Sequence, residues 1–331
     1  MITVVPMDLP DTALAAEVLD GLVLVEEALR EAAHSGEATL TEASRHLIDA
    51  GGKRFRAMLV LLAAQFGNPH DERVVPAALS IELTHLATLY HDDVMDEAAM
   101  RRGHQSANSR WDNTVAILTG DFLFARASLI LADLGIEAVR IQAETFSRLV
   151  SGQMAETVGP RPGEDPLDHY LRVVTEKTAS LIATSGRFGA MFSGAPPEIG
   201  VQIARACEML GVAFQLSDDV LDVASESAES GKTPGTDLRE GIRTLPVLYA
   251  LRSTDAADAR LRELLAAAGL ADPLLHAEAL SLLRAHGAME ASRGDVGSWA
   301  QGARKAILAL PDVPARAAFE VLCDFVVDRT G

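Results

Sequence analysis

The sequence predicts an all-α fold, and three observations carry the prediction. Apolar residues recur at helical spacing along nearly all of the 331 residues. Ala and Leu, both strong helix formers, dominate a composition that is 48% hydrophobic and only 5% aromatic. No stretch alternates apolar and polar residues with the two-residue period of a strand. The length suits one large all-helical domain or two ordinary ones. No linker and no duplicated segment divides the chain, so residues 1–331 read as a single domain, with 1–11 as a loose tail.

Charge and cysteine usage narrow the function classes. The net charge is −18, from 29 Lys and Arg against 47 Asp and Glu. That argues against nucleic acid and against charge-driven binding to anionic membrane, leaving at most peripheral membrane contact. Cys207 and Cys323 lack metal-ligand spacing and read as small buried residues in a reducing compartment. No charged-then-apolar signal opens the chain, and no run approaches 18 uninterrupted apolar residues. A cytoplasmic location is expected.

In chain order, Asp11 to Ala33 reads as a first helix, with Leu14, Val18, Leu19, Leu22, Val25 and Leu29 on its apolar stripe. Thr39 to Ala50 reads as a second, stopped by Gly51-Gly52. Three cations then fall within four residues, Lys53, Arg54 and Arg56, ahead of an almost wholly apolar helix over 57–66. A basic cluster opening a helix attracts anions, because the helix N-terminus is electropositive and Lys or Arg adds charge-assisted hydrogen bonds.

The next helix, about Arg73 to Ala98, ends in Asp92-Asp93-Val94-Met95-Asp96. A helix turns about 100° per residue, so Asp92 and Asp96 stand about 40° apart on one face. Like charges at that spacing repel, which a divalent cation would reverse. Mg²⁺ prefers oxygen ligands and takes one or two carboxylates together with phosphate and water. His85, seven residues before Asp92, shares that face to within about 20°. Arg101-Arg102 follows, a cation pair of the kind a diphosphate clamp requires.

Further helices cover 114–134 and 136–157, and a breaker, Gly159-Pro160-Arg161-Pro162-Gly163, separates them from one over 166–191 that holds Lys177-Thr178. A helix over 199–224 ends in Gln215-Leu216-Ser217-Asp218-Asp219-Val220-Leu221-Asp222, a second copy of the acidic pattern. A polar loop with Gly231-Lys232 and Asp237 follows, then a helix from Thr244 to Arg252. The remainder reads as amphipathic helices broken near Gly269, Gly287 and Pro311. Two acidic motifs beside basic clusters, with no His or Cys ligand set, predict a phosphate-bearing ligand held through bridging metal.

Taken in order, Gly-Gly-Lys-Arg-x-Arg, Asp-Asp-x-x-Asp with Arg-Arg-Gly, Lys-Thr, Gln-x-x-Asp-Asp-x-x-Asp, Gly-Lys and Gly-Thr-Asp-Leu resemble the trans-isoprenyl diphosphate synthase family, the polyprenyl synthases, from about Gly51 to Leu248. The resemblance implies the isoprenoid synthase fold, an antiparallel helix bundle with a deep central cavity, as a homodimer. It implies head-to-tail condensation of isopentenyl diphosphate with an allylic diphosphate. Lys53, Arg56, His85 and Arg102 would bind isopentenyl diphosphate. Asp92 and Asp96, with Asp218 and Asp222 of the second motif, would hold Mg²⁺, about three ions per site. Arg101, Lys177, Thr178, Gln215 and Lys232 would complete the allylic site, with Lys177 and Arg101 aiding departure of the diphosphate. Two positions depart from the family pattern: Ala57 stands for Pro, and Ile242 for a common Lys, with Arg243 beside it.

In that family a bulky aromatic five residues before the first Asp ends the product early. Here Ala87 stands there, about 7.5 Å along the helix from Asp92, with Thr88 and Thr84 nearby. A small side chain at that depth implies a long product, about seven to ten isoprene units, of the kind used for quinone side chains. The alternatives are a short-chain farnesyl or geranylgeranyl diphosphate synthase and a non-catalytic partner subunit. A terpene cyclase normally carries a different second motif. A His-Asp metal phosphohydrolase, prompted by His85, His91 and Asp92, would leave the second motif and the Gly-Gly-Lys-Arg cluster without a role.

Overall fold

The structure is a computed structural model that describes residues 9–225, 234–266 and 269–330. Its described residues are helical with one minute hairpin, and they form two compact units, each discontinuous in sequence.

The first unit takes residues up to Ser147, Leu181–Cys207 and Ile307–Phe319. It holds α1 (Thr12–Ala32), α2 (Ala38–Asp49), α3 (Phe55–Ala64), α4 (Val74–Met95), the short α5 (Ala107–Arg110) and α6 (Asn113–Leu134). It also holds the first half of α7 (Ile136–Val158). Asp11 caps α1 by accepting the N–H groups of Ala13 and Leu14, and Asp112 caps α6 through Val115. α4 packs on α6, α3 and α1. Its core residues Ile81, Leu83, Leu86 and Tyr90 are fully buried, as are Leu22, Leu47 and Leu62 around them. The Tyr90 hydroxyl donates to Ala43 O at 2.5 Å and accepts from Leu47 N at 3.2 Å, which pins the acidic end of α4 to α2.

The second unit takes Arg148–Ser180, Glu208–Ala306 and the residues from Glu320 onward. α8 (Pro166–Val174) opens with Pro at its first turn behind the capping Asp165. One wide π-helical turn, Thr175–Ala179, follows. The single helix predicted over 166–191 is therefore interrupted before α9 (Ser180–Phe192) resumes, and α9 from Leu181 onward belongs to the first unit. Gly152 explains the accommodation: a Cβ there would meet Lys177 N at 2.6 Å, so α7 and the π turn touch backbone to backbone. α10 (Pro197–Ala224) begins in the first unit and ends in the second. α11 (Thr236–Glu240), α12 (Leu245–Leu251), α13 (Ala259–Leu265), α14 (Pro273–Ala285), α15 (Ala288–Ile307) and α16 (Pro314–Asp328) complete the chain.

Two expectations need correction. The helix carrying the first acidic motif stops at Met95 rather than Ala98, because Glu97 takes φ 48°, outside the right-handed helix. Strand structure is not wholly absent: Met100–Arg101 pairs antiparallel with His104–Gln105. Arg102 and Gly103 form its turn at φ 53° and 77°, the positive pair that a tight two-residue hairpin demands. Both cysteines are buried and unbridged. Two helices, Asn113–Leu134 and Pro197–Ala224, are long and apolar enough by length and composition to cross a bilayer, although neither contains 18 uninterrupted apolar residues.

Candidate active site

In the first unit, the loop from α2 to α3 spreads three neighbouring cations in different directions. Gly51 turns the chain at φ 88°, and a Cβ at Gly52 would come within 3.0 Å of the Arg102 guanidinium carbon. Lys53 is exposed. Arg54 adopts the left-handed φ of 45° and turns inward, where its Nε donates to Glu26 at 2.7 Å and its Nη2 to Ile48 O at 3.3 Å. Its Nη1 lies 3.7 Å from Glu82. Glu82 in turn accepts Ala57 N, a first-turn donor of α3, at 3.1 Å. Arg54, unassigned from sequence, is thus the buried strut of the loop, and it leaves Lys53 and Arg56 for other work.

Arg56 is the telling side chain. Burial holds its guanidinium below the ordinary value, opposed by Glu82, and its buried Nε has no hydrogen-bond partner. His85, on α4, is held well below its ordinary value by burial first, and then by Arg56, Arg102, Arg54 and Arg101. The imidazole is therefore neutral at pH 7, with four guanidinium charges acting on it. Arg102 is pushed down to about 10 by burial and by Arg54. Its Nη1 donates to Leu47 O at 2.7 Å and also to Gly51 O, so the hairpin turn clamps the glycine loop. Arg56 and Arg102 are thus close enough to act on His85 electrostatically. Unpaired buried donors and concentrated positive charge are the donor set an anion of high charge would satisfy.

The acidic end of α4 lies beside this cluster. Asp96 is exposed at the helix end, and Asp92 is half-buried one turn back. Asp93 between them points inward: it is fully buried, accepts Arg101 Nε at 2.6 Å, and keeps Oδ2 without a partner. Burial raises its carboxyl above the usual range, with Arg101 opposing. Arg101, expected to meet the allylic diphosphate, is held here by Asp93. His91 turns away to α6, 3.2 Å from Ile117 O and 3.3 Å from Asp121, over Gly120 where a Cβ would come within 2.3 Å of the ring. A metal pair of His91 with Asp92, as the phosphohydrolase reading needs, is not what this arrangement offers.

Deeper along α4, Ala87 and Thr84 are buried. Thr88 bonds back to His85 O at 2.8 Å. Thr84 donates to Ser80 O at 2.8 Å and accepts Gln142 Nε2 of α7 at 2.5 Å, while Gln142 Oε1 is buried without a partner. Nothing in the sequence pattern marked Gln142, because one glutamine on an amphipathic helix carries no local signal.

In the second unit, Asp218 stands half-exposed and accepts a hydrogen bond from Arg329. Asp219 is buried between the Tyr170 hydroxyl and Gln215 Nε2, the latter at 3.0 Å. Burial pushes its carboxyl up to about 7 against those hydrogen bonds. Gln215 Oε1 accepts the Thr178 hydroxyl at 3.3 Å, so Tyr170, Asp219, Gln215 and Thr178 form one relay. Asp222 accepts Thr236 N and Asp237 N at 3.2 Å each, and so also anchors the start of α11. Lys177 pairs with Glu156. Ile242 and Arg243 are exposed, and Lys232 lies outside the described residues.

Among the described residues, no three His, Cys, Asp or Glu side chains converge into a ready metal cage. At each helix end taken by itself, exposed or half-exposed aspartates fit a hard cation whose remaining positions go to phosphate oxygens and water. They do not fit a zinc-type site closed by protein alone.

Comparison with known proteins agrees with this chemistry. The polyprenyl synthetase family profile matches residues 37–281. A nonaprenyl diphosphate synthase from Mycobacterium tuberculosis (strain ATCC 25618 / H37Rv) is 48% identical over 98% of this chain and 97% of its own. The crystal structure of a geranylgeranyl pyrophosphate synthase from Corynebacterium glutamicum, complexed with calcium and isoprenyl diphosphate, superposes with TM-score 0.89 at 46% identity, covering 98% of this chain and 99% of that one. A decaprenyl diphosphate synthase from Rhodobacter capsulatus follows at TM-score 0.87 and 36% identity, covering 96% and 99%. The chain belongs to the polyprenyl synthetase family and is a prenyltransferase with the isoprenoid synthase fold.

Proposed function

We propose that this prenyltransferase condenses isopentenyl diphosphate head-to-tail onto an allylic diphosphate and releases a long all-trans product, about C35–C50, for quinone side chains. The observation that carries the substrate class is the buried, unpaired Arg56 Nε, together with a neutral His85 that feels the charge of Arg56, Arg102, Arg54 and Arg101. Lys53, Arg56, His85 and Arg102 bind the diphosphate of isopentenyl diphosphate. Arg101, Lys177, Thr178, Gln215 and Lys232 bind the allylic diphosphate. Asp92 and Asp96 at one helix end and Asp218 and Asp222 at the other would hold Mg²⁺, about three ions; the calcium and isoprenyl diphosphate of the Corynebacterium structure support the use of a divalent metal.

Mg²⁺, when bound, neutralises charge on the departing diphosphate. The protein's cations do the same from fixed positions, so they favour the state in which the allylic C–O bond has broken. The double bond of isopentenyl diphosphate attacks the allylic cation, and the departing diphosphate takes the proton. Because His85 is neutral, it donates a hydrogen bond without adding a further charge. An apolar, nearly water-free surround would protect such a cation from hydrolysis.

Length is supported by Ala87 and by the nonaprenyl and decaprenyl synthases among the relatives. A short-chain reading has its own support: the Corynebacterium relative, and the Thr84–Gln142 bond tying α4 to α7 about 12 Å along the helix from Asp92. The exposed apolar residues Ile117, Leu118, Leu129, Ile136 and Val139 of α6 and α7 support a homodimer. The test is incubation with radiolabelled isopentenyl diphosphate, farnesyl diphosphate and Mg²⁺, with dephosphorylated products separated by length. A ladder ending at about seven or more units supports the long-chain reading and a stop at about four the short-chain one. No product would leave a partner subunit.

A further inference from the structure

We propose that the Arg329 guanidinium is a built-in competitor of the divalent cation at Asp218, held on that carboxylate until metal and diphosphate arrive together. The inference rests on the reading of Asp218 as a metal ligand. It begins from a contact that no sequence motif marks. Just past the end of α16, Arg329 donates from Nη2 to Asp218 Oδ1. The arginine side chain is 16% exposed and the aspartate 43%, so the cation is the more deeply seated partner.

The surroundings hold the guanidinium in place. It lies 4.7 Å from the ring centre of Phe214, one turn before Asp218 on α10, and 5.8 Å from that of Phe325. The backbone that carries it is tied from both sides. Arg329 N donates to Phe325 O at 3.3 Å, and Thr330 O accepts Arg293 Nε of α15 at 2.7 Å. The Thr330 hydroxyl closes the turn on Val327 O at 2.8 Å. An isolated surface ion pair has none of this support.

A guanidinium and a hard cation seek the same carboxylate oxygen, and one Oδ1 does not serve both at full strength. A bare divalent ion must displace an arginine that also stacks on an aromatic ring. A metal ion delivered with diphosphate gains phosphate ligands in the same event, so it overcomes the competition more easily. Arg329 thereby disfavours metal loading of the second motif in the absence of substrate. At the first motif the neighbouring arginine, Arg101, sits instead on the buried middle aspartate, Asp93.

The experiment is a Mn²⁺ titration of the full-length protein without diphosphate, with free Mn²⁺ read by electron paramagnetic resonance. Arg329→Met keeps a long apolar stem over Phe214 and removes the charge. It should bind Mn²⁺ about fivefold more tightly than wild type at one site, with Arg329→Lys in between. Unchanged or weaker binding in a folded Arg329→Met protein would overturn the proposal. Asp218→Asn separates this from the underlying reading: if it keeps the full Mn²⁺ stoichiometry, Asp218 is not a metal ligand at all. Should Arg329→Met not fold, hydrogen exchange on wild type decides. Adding Mn²⁺ together with inorganic diphosphate should speed exchange across residues 325–330, and unchanged exchange there refutes the competition.

Discussion

Removing the Arg54 guanidinium should cost far more than removing any surface charge, and the structure fixes the scale. The Arg54 side chain is 1% exposed, with Glu26 at 6% and Glu82 at 3%. An exposed ion pair contributes about 0–1 kcal/mol. Stranding buried charges by taking away their partner costs about 3–5 kcal/mol. Arg54→Met takes the buried cation from Glu82, leaves Glu26 only the part-exposed Arg30 at 2.8 Å, and frees Ile48 O, so a loss of about 3 kcal/mol is expected, or about 4 °C in Tm for a chain of this length. Met does not relieve the left-handed φ at this position either. Urea unfolding followed by circular dichroism measures the loss. The companion variant Arg54→Met with Glu26→Gln and Glu82→Gln should regain most of it. The charges are then gone, and the amide oxygen introduced by Glu82→Gln can still accept Ala57 N. A loss under about 1 kcal/mol for Arg54→Met, or no recovery in the triple variant, would refute the view of Arg54 as a charge-balanced strut.

Other outcomes follow from the same geometry. Ala87→Phe should shorten the product ladder; an unchanged ladder in the length assay would place the floor elsewhere. Asp92→Ala or Asp218→Ala should abolish condensation with the helical circular dichroism intact, since both side chains are at least partly exposed; wild-type turnover in either would sink the metal assignment. His85 has a folded pKa well below its unfolded value, so the unfolded chain binds the extra proton first. Stability should therefore fall as pH drops below about 6.5, with a slope of up to about 1.4 kcal/mol per pH unit from this group. His85→Asn should flatten that part of the curve, read as urea midpoints between about pH 7 and 5.5. An identical slope in wild type and variant would show that His85 is not the group responsible.

Much of the candidate site was legible because its chemistry is local. The Gly-Gly-Lys-Arg cluster, the two Asp-Asp-x-x-Asp motifs and His85 two turns before Asp92 are separations that a helix turns directly into neighbours. Less was legible where direction depends on backbone. Arg54 and Arg56 look alike in sequence, and only the left-handed turn at Arg54 sends one to buried glutamates and leaves the other's Nε without a partner. The middle aspartates look like ligands, yet Asp93 and Asp219 are buried. The π turn at Thr175–Ala179 was invisible because it answers a close approach at Gly152, far away in sequence.

By itself, then, the sequence determined the all-α class, the order of the helices and the cation- and carboxylate-rich segments, since helical period and motif spacing act over a few residues. The tertiary structure alone decided which charges are spent on the protein and which remain for a ligand. Arg54 on Glu26, Arg101 on Asp93, Arg102 on the glycine loop, Lys177 on Glu156 and Arg329 on Asp218 are pairings whose partners lie too far apart in sequence for any local rule to join them. Burial and distance, which set the strength of each charge interaction, exist only once the chain has folded.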